Sequence, residues 1–148
     1  LVLLLATSLH CILGGQHVFL FNKCSHDVDV YDCDKYCYQW GSWHLVTNLP
    51  SGKNATVALN DGRLFADKRS DMFGEYATMA SFTPGWWSDS YGLSIYNGFD
   101  IGMQISATKG DKVFTCRNAT CFDKGGRHET METADVATGG DFSLTYCP

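Results

Sequence analysis

Apolar and polar positions alternate in short runs along this chain, and helical spacing is nowhere sustained. Ile101-Gly102-Met103-Gln104-Ile105-Ser106-Ala107 has one apolar face and one small or polar face. That is the period-two pattern of a half-buried antiparallel strand. Leu93 and Ile95 follow the same rule. Strands are predicted over residues 18–22, 28–31, 44–47, 55–59, 62–66, 92–96, 101–107, 112–115 and 143–147. Turn signals separate them: Asn48-Leu49-Pro50-Ser51-Gly52, Asn60-Asp61-Gly62, Thr83-Pro84-Gly85, Asn97-Gly98, Lys109-Gly110-Asp111 and Gly125-Gly126. Asn60-Asp61-Gly62 between two apolar runs predicts a hairpin, because Gly and Asn accept positive φ. Residues 117–140 hold few large apolar side chains and read as a long loop. Short strands punctuated this often predict an all-β fold, an antiparallel β-sandwich in a single domain.

The two ends match. An apolar run, Phe19-Leu20-Phe21, closes on Asn22-Lys23-Cys24, and an alternating run, Phe142-Ser143-Leu144-Thr145-Tyr146, closes on Cys147-Pro148. First and last strands can lie side by side in one sheet with a Cys24–Cys147 disulfide fastening them. In the chain-entropy picture, closing so long a loop is worth roughly 4–5 kcal/mol. Residues 1–15 are mostly apolar and end in Gly14-Gly15. They read as the h-region of a secretory signal peptide lacking its initiator Met and basic n-region; the run is too short for a membrane span. Residues 16–148 then form the folded domain, secreted and without stable membrane insertion.

Of seven cysteines, Cys11 falls in the signal segment, leaving Cys24, Cys33, Cys37, Cys116, Cys121 and Cys147. An even number in a secreted chain predicts three disulfides. With Cys24–Cys147 set, three pairings of the other four stay open, two local clips (Cys33–Cys37 and Cys116–Cys121) being the simplest. Zinc is disfavoured, since neither Cys pair has a well-placed His. Asn54-Ala55-Thr56 and Asn118-Ala119-Thr120 are glycosylation sequons, predicting exposed loops at Asn54 and Asn118. The 45% hydrophobic and 14% aromatic content excludes disorder. Eleven Lys and Arg against sixteen Asp and Glu give a net charge of −5 without a basic cluster, which excludes a nucleic-acid partner.

These residues bring the chain to a known family. Asn22-x-Cys24-Ser25 resembles the opening Asn-x-Cys of thaumatin-like proteins (pathogenesis-related group 5). Leu49-Pro50-Ser51-Gly52 with Thr56 resembles their Leu-x-x-Gly-x-x-x-Thr, and Gly62-Arg63-Leu64-Phe65-Ala66 their Gly-Arg-Ile-Trp-Ala. The segment from Tyr91 through Gly92-Leu93-Ser94-Ile95-Tyr96-Asn97-Gly98-Phe99-Asp100-Ile101-Gly102-Met103 resembles Tyr-Asp-Val-Ser-Leu-Val-Asp-Gly-Phe-Asn-x-Pro-Met, the most specific match. Cys116-Arg117-x3-Cys121 and Tyr146-Cys147-Pro148 complete the series in order. The resemblance implies a β-sandwich core and again a Cys24–Cys147 bond. Full-length members carry a cysteine-rich second domain after the Cys-x4-Cys segment. Fewer than thirty cysteine-free residues separate Cys121 from Cys147 here, so the resemblance implies a small form without that domain, and favours Cys116 pairing with Cys121. Cys33 and Cys37 match nothing in the family pattern.

The family's ligand site is an acidic cleft of one Arg, one Glu and three Asp, associated with β-glucan binding and sometimes with endo-β-1,3-glucanase activity. Only Arg63 carries over. Gly92 and Asn97 stand where two Asp belong, Met79 aligns with the Glu, and the fifth position lay in the missing domain. The cleft is therefore dismantled, and the chain is expected not to be an enzyme. Glycoside hydrolysis needs two carboxylates across one bond; Asp89 and Asp100 are the nearest substitutes, each read equally as a turn residue. Asp27, Asp29, Asp32 and Asp34 could hold calcium, but they lack an EF-hand's Gly and closing Glu and read better as a charged strand edge that deters strand addition; no metal and no cofactor are expected. Trp40, Trp43, Trp86, Trp87 and Tyr91 could stack on sugars, Trp86-Trp87 best, since adjacent strand residues point to opposite faces and one would be exposed. Met79, Met103, His44 and His128 read as packing or surface residues.

The reading is a secreted, monomeric, defence or antifungal-type protein. It binds a cell-wall polysaccharide or a secreted protein through Arg63, Trp86, Trp87, Asp89, Tyr91 and Asp100. The alternatives are a xylanase-type glycosidase inhibitor or effector-like protein-binding module, and a weak endo-β-1,3-glucanase.

Overall fold

The computed structural model describes residues 16–33, 44–59, 64–67, 77–96 and 98–148, with the backbone alone for 33 and 64–67. The signal segment 1–15, Asp34, Cys37 and with it the Cys33–Cys37 pairing, Trp40, Trp43, Arg63 and Asn97 lie outside these residues.

The described elements are strands: β1 (His17–Asn22), β2 (Val28–Cys33), β3 (His44–Leu49), β4 (Asn54–Ala58), β5 (Leu64–Asp67), β6 (Met79–Thr83), β7 (Ser88–Ser94), β8 (Met103–Ala107), β9 (Val113–Cys116), β10 (Met131–Ala137) and β11 (Phe142–Tyr146). They form a five-stranded sheet ordered β4-β1-β11-β8-β9 and a six-stranded sheet ordered β10-β7-β6-β5-β2-β3. Alternation drives their packing. β8 and β11 bury every second residue, placing Met103, Ile105, Ala107, Phe142, Leu144 and Tyr146 against Val28, Val30, Phe82, Tyr91, Leu93 and Val136 of the other sheet in one core. Phe82 and Tyr91 meet Phe142 across the layer at ring separations of 5.1 and 5.8 Å, and Tyr91 meets Phe114 at 5.6 Å.

The ends join as their sequences predict. β1 pairs with β11 from Val18↔Phe142 to Asn22↔Tyr146, and this pair is parallel, unlike every other pairing among the described strands. Parallel alignment brings the C-terminal ends of both strands together, which is what the Cys24–Cys147 disulfide requires; its Cα atoms are 5.0 Å apart. The second disulfide is Cys116–Cys121. Asn22 explains its motif: its side-chain amide donates to the Leu49 and His26 carbonyls while its Oδ1 accepts from the Cys24 N–H. Every polar atom of that buried amide is thereby used, and the chain is held as it leaves the first sheet. Gly52, at φ 72°, donates to Asn22 O where β3 crosses to β4.

Three expectations are corrected. Asn60-Asp61-Gly62 lies outside the described residues, but β4 and β5 on either side of it belong to different sheets and do not pair as a hairpin; apolar runs flank sheet-to-sheet crossovers as well as hairpins. Residues 117–140 are not one long loop, since they contain β10, paired with β7 from Met131↔Ser94 to Ala137↔Ser88. β10 is an edge strand that buries only Ala134 and Val136, so its pattern is faint. β6 falls in a segment for which no strand was predicted; it is buried on consecutive positions, which erases alternation.

Candidate functional site

The exposed aromatic feature is a turn. β6 ends at Thr83, Pro84-Gly85 reverse the chain, and Trp86 and Trp87 follow in a bend before β7. A Cβ on Gly85 would lie 2.1 Å from Ser88 O, so the turn closes this tightly only with glycine. Trp86 is 96% exposed and Trp87 94%. The expected opposite-face arrangement is corrected: neither residue is in the strand, and both indoles face out. An open groove of about 400 Å³ runs beside them, lined by Pro84, Gly85, Trp86 and Thr138.

Asp89 holds this turn from beneath. It is fully buried. Its Oδ1 accepts from Gly85 N at 3.0 Å, and its Oδ2 accepts from Gly139 N at 2.9 Å and from the Gln16 amide. The Thr138 hydroxyl bridges Asp89 Oδ1 and Gly85 O, at 3.1 and 2.7 Å. One carboxylate thus ties the β6–β7 turn to the β10–β11 turn and to the start of β1. Tyr91 is likewise inside: its hydroxyl donates to Lys112 O at 2.8 Å. Burial, with a smaller effect of the Asp111 carboxylate, raises its pKa. Asp89 and Tyr91 are therefore corrected from ligand contacts to a support and a core residue. The alternation that buries Leu93 buries them too.

Asp100 is at the other end of β7. Its Oδ1 accepts from Thr78 N at 2.7 Å, beside the Met79↔Ser94 pair. Five strand steps separate Asp89 from that end, so the two carboxylates are roughly 15–20 Å apart, well beyond the ~5–10 Å that lets two carboxylates act across one glycosidic bond. Asp100 lines a cavity of about 370 Å³ with His26, Phe99, Ile101, Gly102, Arg117, Cys147 and Pro148. Burial pushes its pKa up, against the lowering effect of its hydrogen bonds with Thr78 and neighbouring backbone. His26 carries no sequence signal as a site residue, and Arg117 is marked only by its place in a cysteine motif.

Of the positions aligned with the family's cleft, the two among the described residues are closed. Met79 is buried. Gly92 is buried in β7, and a Cβ there would lie 2.3 Å from Glu132 O on β10. Among the acidic residues near β2, Asp27 accepts from Ser51 N and Asp29 from the Asn48 amide, so both brace the β2–β3 edge. Asn118 is exposed outside any strand, whereas the loop expected at Asn54 is corrected, since Asn54 is exposed but opens β4 and pairs with Phe21. His44 is exposed, His128 pairs with Asp123 at the surface, and Met103 is buried.

No family model matches the chain. Curated relatives include thaumatin-like pathogenesis-related protein 4 of Avena sativa, 29% identical over 77 residues, covering 52% of this chain and 45% of the relative. Pathogenesis-related protein 1A/1B of Hordeum vulgare is 33% identical over 76 residues, covering 49% and 43%. The chain thus spans less than half the length of the curated relatives it matches. Among solved structures, the thaumatin-like xylanase inhibitor TLXI superposes with a TM-score of 0.64 at 17% identity, covering 88% of this chain and 99% of the inhibitor. The protein elicitor MoHrip2 from Magnaporthe oryzae superposes with a TM-score of 0.64 at 17% identity, covering 90% and 100%. At such identity the likeness concerns the fold.

Proposed function

Because the chain is thaumatin-like in sequence and in fold, we propose that it is a secreted, non-enzymatic binding protein of the defence type whose Trp86–Trp87 turn contacts a cell-wall polysaccharide. The observation that carries this reading is two adjacent, almost fully exposed indoles on a turn pinned by a buried carboxylate. Exposed aromatics of this kind are unfavourable in water and mark binding surfaces, and an indole offers a flat apolar face with a polar edge, matching a sugar ring's C–H face and hydroxyls. Covering one face of each indole buries roughly 200 Å², about 5 kcal/mol gross at ~25 cal/mol per Å². Association costs remove most of that, so single contacts are weak and a polymer's repeated units supply retention.

The separation of Asp89 from Asp100 favours binding over hydrolysis. The test is depletion of the oxidised protein from solution by insoluble β-1,3-glucan, chitin and xylan. Retention that Trp86→Ala or Trp87→Ala abolishes supports the reading. A second reading, inhibition of a secreted glycosidase, is favoured by the fold shared with a xylanase inhibitor over nearly all of that protein's length. Pull-down against secreted hydrolases distinguishes it from glycan binding.

A further inference from the structure

The cavity at the opposite end of the sandwich from the tryptophans has an unspent hydrogen-bonding capacity. Among the described residues, His26 Nε2 and Asp100 Oδ2 are buried without a hydrogen-bond partner, and both side chains line the cavity. Two orphaned polar atoms around one cavity are unusual, since buried polar groups are nearly always satisfied. Arg117 stands at the same cavity, its Nε donating to Pro148 O at 3.1 Å. Phe99, Ile101 and Pro148 supply apolar wall.

From this geometry we infer that the cavity is a binding site for a single sugar ring, with Asp100 and His26 taking a pair of adjacent hydroxyls, Arg117 at the rim and Phe99 against the ring's C–H face. Charge does not single out an ion: the Arg117 guanidinium and the Asp100 carboxyl share the cavity, with His26 as a third titratable group and Arg117 Nε already donating to Pro148 O. Hydroxyls donate and accept at once, which suits an acceptor oxygen beside an imidazole nitrogen whose role follows its tautomer. About 370 Å³ is room for one or two rings and lies in the range of small-molecule pockets. A metal fits less well: among the described residues no three His, Cys, Asp or Glu side chains are grouped to hold one. Both atoms are buried in this structure, so binding requires the half-buried His26 side chain to change rotamer. This site is independent of the tryptophan turn and does not rest on it.

The test is an NMR titration of the whole oxidised protein with the methyl glycosides of glucose, xylose and N-acetylglucosamine, and separately with sodium acetate, following the His26 ring and the backbone amides of Phe99 to Gly102. The expected result is saturable shifts with at least one glycoside. Its affinity should fall at least tenfold in Asp100→Asn, which keeps the Oδ1 bond to Thr78 N, and should weaken in the surface variant Arg117→Met. Trp86→Ala should leave it unchanged. Three results each overturn the assignment: no saturable shift with any glycoside, shifts that neither Asp100→Asn nor Arg117→Met alters, or a response to acetate alone, which makes the site one for anions. Failure of glucan retention with this response intact removes the tryptophan reading and leaves this one standing.

Discussion

Replacing Asp89 with Ala tests whether the carboxylate holds the tryptophan turn. The variant removes the acceptor for two main-chain donors, Gly85 N and Gly139 N. The other two donors keep alternatives: the Gln16 amide also reaches Gly140 O at 2.8 Å, and the Thr138 hydroxyl also reaches Gly85 O. The cost is therefore counted for two stranded N–H groups at about 1–3 kcal/mol each, or about 2–6 kcal/mol in all. Trp86→Ala and Trp87→Ala serve as the contrast, because nearly fully exposed side chains contribute within about 0.5 kcal/mol. Urea denaturation monitored by far-UV circular dichroism gives the stabilities, and hydrogen exchange at residues 84–88 and 138–140 gives the local effect. Asp89→Ala should lower stability by the stated amount and speed exchange in both turns together, while the tryptophan variants do neither. A loss below 1 kcal/mol, or exchange that changes in one turn only, would refute the claim that one carboxylate ties the two turns.

Other consequences follow from the same structure. Removing Cys24–Cys147 by double Ala substitution opens a loop of 123 residues and should cost about 5 kcal/mol, whereas removing Cys116–Cys121, with a separation of 5, should cost about 2 kcal/mol; equal losses in urea midpoints would contradict the loop-length argument. Gly92→Asp, which restores an aligned family carboxylate, drives a side chain into Glu132 O and should destabilise by about 1–3 kcal/mol or more through β7–β10 opening; unchanged stability would show that β10 gives way freely. The folded protein raises the Asp100 pKa above its ordinary 3.8, so it holds that proton more tightly than the unfolded chain does. The Asp100 contribution is therefore most favourable below pH 3.8 and declines as pH rises through the raised value, then levels. Asp100→Asn should abolish that decline and raise the melting temperature at neutral pH; a lower melting temperature at every pH would contradict the sign.

Much of the frame was legible because it rests on strong local signals. The Ile101–Ala107 alternation marked β8, the matched cysteine ends marked the β1–β11 pair and its disulfide, and the Cys-x4-Cys motif marked the second disulfide once the family resemblance was drawn. Direction was implicit in those ends, because a disulfide between cysteines that each follow their strand requires parallel neighbours; the alternation in 18–22 and 143–147 does not by itself distinguish parallel from antiparallel pairing. β6 was hidden by burial on both faces and β10 by its few inward side chains, and with them went the true surroundings of Asp89 and Gly92. Sequence singled out Trp86 and Trp87 as chemistry-bearing residues. It misread their setting, because a Pro-Gly turn ahead of them moves both indoles off the strand. His26 and Arg117 meet Asp100 only through the crossovers between sheets, a juxtaposition that spacing along the chain does not encode.

Retention of the oxidised protein on insoluble β-1,3-glucan, measured as depletion from the supernatant for the native chain and for Trp86→Ala and Trp87→Ala, bears most directly on the central claim. The account predicts retention of the native protein and loss in both variants at unchanged stability. Failure of the native protein to bind β-1,3-glucan, chitin or xylan, or binding that survives both substitutions, would contradict it and turn the search to a protein target.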